Sequence, residues 1–113
     1  MPDPEPRDVW WVEIEGVEEG KVRICVVVRI ESDRAQVVYG QGSPRAGVEH
    51  IEVIPGTPSG KRFRVTKPTY FRETNVCFVH KRRFKKKLAV CPHDAYLKLG
   101  EFAGRMNRRA PGS

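Results

Sequence analysis

Apolar and polar positions alternate from Asp8 to Glu15, with Trp10, Val12 and Ile14 on one side and Trp11, Glu13 and Glu15 on the other. This is the period-two signature of a half-buried strand. Gly16 to Lys21 reads as a turn or short acidic loop. Arg23 to Ile30 (RICVVVRI) is almost continuously apolar and rich in β-branched residues, which predicts a strand buried on both faces at the centre of a sheet. After a turn at Glu31-Ser32-Asp33, Ala35 to Tyr39 predicts a third strand. The turn formers Gly40-Gln41-Gly42-Ser43-Pro44 are expected to take the chain out of the sheet. His50 to Ile54 alternates again and stops at Pro55-Gly56. Residues 57–61 read as a turn, and Lys61 to Thr66 sets Phe63 and Val65 against Arg62, Arg64 and Thr66, predicting another strand. Asn75 to His80 and Lys87 to Val90 predict two more, with Lys81 to Lys86 between or within them.

From Pro92 the period changes. Ala95, Leu99, Phe102, Ala103 and Met106 form one stripe of an amphipathic helix, with proline suited to its first turn and Gly100 and Gly104 weakening it. Six or seven short strands and one terminal helix predict a mainly β protein: a small, strongly bent antiparallel barrel of SH3-like type, or a sandwich, capped by the helix. One domain is expected over residues 8–106. The proline-rich lead, 1–7, and the tail, 107–113, are expected to be flexible.

Composition narrows the class. A chain of 113 residues, 31% charged and 39% hydrophobic, has room for one core and is globular in character. No apolar run approaches the roughly 20 residues of a bilayer span. The start MPDPEPRD is acidic and proline-rich, unlike a signal peptide, so a cytoplasmic protein without a membrane partner is expected. Cys25, Cys77 and Cys91 lie in or beside apolar segments and read as reduced core thiols. Pairing Cys77 and His80 with Cys91 and His93 as zinc ligands is disfavoured, because the second pair has one intervening residue, too few for a knuckle. No metal or cofactor is expected.

Charge sharpens the picture. Residues 1–56 carry six Lys/Arg against eleven Asp/Glu, whereas residues 57–113 carry fifteen against three. Such polarity predicts an electropositive face for a polyanion, against the plainer reading of a solvated charged surface. The densest stretch is Lys81-Arg82-Arg83-Phe84-Lys85-Lys86-Lys87, six cations around one aromatic that would stack on a base. Arg62, Arg64, Lys67, Tyr70, His80 and, in the Gly-rich turn, Gln41 complete the predicted RNA-binding set. His50, His80 and His93 are the default acid–base candidates, histidine being the side chain that titrates near neutrality.

The order of these segments resembles the MazF/PemK-like toxins of bacterial toxin–antitoxin systems. The likeness rests on Asp8-Val9-Trp10-Trp11-Val12 followed by Glu18-Glu19-Gly20-Lys21-Val22-Arg23 and Val26-Val27-Val28, on His50-Ile51-Glu52-Val53, and on Arg82 to Val90 followed by Pro92 to Met106. It spans about residues 8–105. It implies metal-independent cleavage of single-stranded RNA, in which the 2′-OH attacks the adjacent phosphate. Arg23 would stabilise the phosphorane, Ser43 would serve the same phosphate from the facing loop, and His50 would supply acid–base chemistry. An acidic antitoxin protein and a second copy of the chain are the partners it implies. Two departures stand out: Ile24 follows Arg23 where the family has Pro, and Gly40-Gln41-Gly42 stands where the family has Ser or Thr. They favour an alternative, a non-catalytic module that binds nucleic acid or protein on the same barrel.

Overall fold

The computed structural model describes residues 3–14, 16 and 21–109. Its strands are β1 (Asp8–Glu13), β2 (Val22–Glu31), β3 (Arg34–Gln41), β4 (His50–Val53), β5 (Thr69–His80) and β6 (Phe84–Val90). Helix α1 (Pro58–Phe63) lies between β4 and β5, a 3₁₀ turn (Lys81–Arg83) links β5 to β6, and α2 (His93–Arg109) follows. All pairings are antiparallel, and the strands form one open sheet in the order β4-β5-β3-β2-β1-β6. The mainly β expectation with a C-terminal helix holds. β4 and β6 are the two edges of the sheet.

β2 behaves as its composition requires, feeding a separate hydrophobic cluster from each face. Ile24, Val26 and Val28 join Val9, Val38, Phe71, Phe63 of α1 and Leu99, Phe102 and Ala103 of α2. Cys25 and Val27 join Trp10, Val12, Ile14, Val37, Val79 and Phe84, a cluster to which no helix contributes. Register shifts in the β1–β6, β2–β3 and β3–β5 pairings bend the sheet, as bulges do.

The strand predicted over Lys61 to Thr66 is instead helix α1 and the segment after it. Thr57 caps α1: its Oγ1 accepts from the Gly60 N–H at 3.0 Å and donates to the Ile54 carbonyl at 2.6 Å, with Pro58 in the first turn. Arg64, at φ 59°, ends the helix in the left-handed conformation. Capping chemistry outweighs the two-residue alternation, and Phe63 reaches the core all the same, fully buried. β3 also runs further than expected, Gly40 and Gln41 pairing with Phe71 and Tyr70. Glycine is required at position 40, since a Cβ there would stand 2.4 Å from Thr69 Cγ2.

The described part of the N-terminal lead is tied down at its end. The Arg7 N–H donates to the Val27 carbonyl, and its Nε and Nη2 donate to the Cys91 carbonyl at 3.2 and 2.9 Å. Met1 and Pro2 lie outside the described residues, as do 110–113 of the expected tail, whereas 107–109 continue α2. Helix α2 is fixed to the sheet by a Tyr96 hydroxyl bond to the Val28 carbonyl, 3.1 Å. It is also held by Arg105, which donates to Glu49 and Glu73 at 2.9 Å each, and by Lys98, paired with Glu49.

Candidate nucleic-acid interface

The structure disperses the basic run. Phe84 is 5% exposed and packs edge-on against Trp10 with centroids 5.6 Å apart, so it is a core residue and not an exposed platform for a base. Several neighbouring cations are matched by acids of β1, the strand that pairs with β6. Arg83 meets Glu13 at 3.0 Å, Lys85 meets Glu13 at 4.0 Å, and Lys87 meets the buried carboxylate of Asp8 at 3.2 Å. His80 is committed locally: its Nδ1 accepts the Arg82 N–H at 3.1 Å and its Nε2 faces Asp33 at 3.2 Å. Arg82 and Lys86 are exposed and have no ion-pair partner among the described residues. Arg62 and Arg64 are exposed too, on α1 and at its end instead of alternating along a strand.

A concave site forms elsewhere. A pocket of about 600 Å³ opens where the N-terminal end of β2, the C-terminal end of β3 and the 65–69 segment meet. Lys21, Arg23 and Lys67 line it with Trp11, Gln41, Gly42, Thr66 and Thr69. The register explains the assembly: Trp11 pairs with Ile24 on β2, while Gly40, having no side chain, lets Thr69 and Ile24 close against the end of β3. Trp11 rests partly buried on the helix-side core and still lines the opening. The 65–69 segment is directed here by the end of α1, where the Val65 N–H bonds the Gly60 carbonyl at 3.2 Å. Three predicted residues, Arg23, Gln41 and Lys67, are thereby brought together.

Ser43 and His50 do not line the pocket. Arg72 grips Ser43, donating to its carbonyl at 3.1 and 2.7 Å and to its hydroxyl at 3.2 Å. His50 lies edge-on to Tyr70 with centroids 5.4 Å apart, and its buried Nδ1 has no hydrogen-bond partner among the described residues. Burial together with a hydrogen bond to Glu52 pushes the Tyr70 hydroxyl above its ordinary range. Burial likewise holds the Cys77 and Cys91 thiols up at about 11 and pushes Cys25 well above its usual value, so all three stay protonated at neutral pH. No group of three His, Cys, Asp or Glu side chains that would hold a metal ion occurs among the described residues.

Two pocket residues, Trp11 and Lys21, escape a reading by charge clusters. The signal for Trp11 was present in its position on the face of β1 that it shares with Glu13, where a large aromatic stands next to a charged side chain. Lys21 stands outside the basic half and gives no such sign. No family model matches the chain, and no curated protein is similar enough to it to be matched.

Proposed function

We propose that this chain binds single-stranded RNA and seats one nucleotide in the pocket between β2, β3 and the 65–69 segment. The observation that carries this reading is the convergence of Lys21, Arg23 and Lys67 with Trp11 on one concavity. Cations beside an aromatic face are what a flexible polyanion with stacking bases requires. The guanidinium and ammonium groups take phosphate oxygens, and the indole takes the base. With about three phosphates neutralised, log affinity falls with log salt at a slope near −2, at roughly −0.7 per phosphate on a single strand. Fluorescence anisotropy of a labelled single-stranded RNA across a salt series measures it. Trp11→Ala should cost about 1–3 kcal/mol of binding, the scale of base–aromatic stacking. Lys67→Gln should flatten the slope by one phosphate. A salt-independent signal, or wild-type binding by both variants, rejects the site.

A second reading, MazF/PemK-like cleavage at the same place, is favoured by one observation: Arg23, the residue the resemblance assigns to the phosphorane, lines the pocket. Incubation with RNA in chelator would then yield fragments ending in 2′,3′-cyclic phosphate. Arg23→Ala would lower the single-turnover rate by about 10²-fold or more, the scale for losing a preorganised donor. Intact RNA under all conditions leaves the binding reading alone.

A further inference from the structure

Gln41 lines the pocket, and its surroundings decide which end of its amide it presents. Between the pairs Val38↔Val76 and Gly40↔Phe71 the ladder is irregular, so Tyr39 of β3 faces the bulged stretch 72–75 of β5. Asn75, 5% exposed in that bulge, makes up for the lost ladder bond: its Nδ2 donates to the Tyr39 carbonyl at 3.3 Å. A main-chain carbonyl only accepts, so the amino end of Asn75 must face it. That same amino group lies 3.1 Å from Gln41 Oε1. Gln41 is thus obliged to turn its oxygen toward Asn75, which leaves its Nε2 without a hydrogen-bond partner among the described residues, on a half-buried side chain. Its free end can only donate.

We propose that Gln41 makes the pocket selective for a base with a keto oxygen at pyrimidine C4 or purine C6, uracil or guanine, over one with an amino group at that same position, cytosine or adenine. The inference rests on the RNA-binding reading above and goes beyond it to the identity of the base. A keto oxygen accepts from Nε2. An exocyclic amino group there brings donor against donor, and both lose water without gaining a bond, which is the costlier outcome. Rotating the amide to accommodate it would set the Gln41 amino group against that of Asn75.

Anisotropy titrations with short oligo-U and oligo-C RNA test this. Wild type should bind oligo-U about tenfold more tightly, the worth of one hydrogen bond gained against one polar group stranded. Gln41→Glu keeps an oxygen for Asn75 and turns a second outward, so the order should reverse while both affinities fall from the added charge. Asn75→Ala releases the amide to rotate, and the two oligomers should converge to within about twofold with the salt slope unchanged. If circular dichroism finds Asn75→Ala unfolded, Gln41→Glu decides. Equal wild-type affinity for U and C with an intact salt slope overturns the selectivity and leaves RNA binding standing. Failure to bind either oligomer overturns both.

Discussion

A Cβ placed on Gly60 would come within 1.9 Å of the Ile54 carbonyl oxygen, a backbone atom that cannot swing aside. Gly60→Ala should therefore lower stability by about 1–3 kcal/mol, the scale of overpacking, despite the better helix propensity of alanine. Urea denaturation checks it; an unchanged or raised midpoint would contradict the close approach. Phe84 and Trp11 exchange the roles their neighbourhoods suggest. Phe84 stands among lysines and is core; Trp11 stands beside the core tryptophan and lines the pocket. Phe84→Ala should then cost about 3–5 kcal/mol of stability, as for other buried aromatics. The folded fraction of that variant should bind RNA as wild type does, and selective loss of affinity with full stability would restore it as a stacking residue. The sequence misleads here because β6 shifts register twice against β1, so the residues that face inward cannot be counted off by twos.

At the scale of elements, β1, β2 and α2 were legible because a long alternation, a β-branched run and a 3.6-residue stripe each have one structural solution. Helix α1 was not, although Thr57-Pro58 is a cap signal: a helix of six residues displays too little of its period to compete with Phe63 and Val65 two apart. The length of β5 escaped because its bulge at 72–75 interrupts the pattern. The pocket shares this origin, since its walls come from the unforeseen end of α1 and extension of β3. Helix α2 carries a pH dependence that follows from Glu49. Hydrogen bonds from Lys98 and Arg105 hold its carboxyl below the ordinary value of 4.5. A carboxyl depressed in the folded state contributes stability above its unfolded pKa and loses it as pH falls through the folded one. Glu49→Gln should thus lower the thermal midpoint at pH 7, and the deficit should shrink at a pH low enough to protonate that carboxyl in the wild type. A deficit that persists equally at both pH values would mean the carboxylate is not the source.

Over the whole molecule, the acidic and basic halves of the sequence do not form two opposed faces throughout. β1 and β6 set part of one against part of the other, through Glu13 with Arg83 and Lys85 and through Asp8 with Lys87. Counting charges along the chain could not reveal this, because it depends on which strands are neighbours. The lysines of β6 also guard an open sheet edge, a use independent of any ligand. Lys87→Gln, which leaves the buried Asp8 carboxylate short of its cation, should lower stability by about 1 kcal/mol, discounted for the exposure of the lysine. Lys86→Gln should leave stability unchanged. Parallel denaturation curves distinguish them, and equal midpoints would remove the structural role of Lys87.

The strand order has a further effect on how the molecule comes into being. Of the described strands β1 is made before the others, and its neighbours are β2 on one side and β6, some seventy residues later, on the other. As the chain leaves the ribosome, the β1 edge stays open, and Trp10 lacks the ring of Phe84, until residue 90 has emerged. Closing so long a loop is slow, and an uncovered strand edge invites pairing with other chains. The nascent protein therefore passes through its most adhesive state just before β6 arrives, and a ribosome that stalls between β5 and β6 would release a sheet already built yet lacking the lysine-rich strand that seals it.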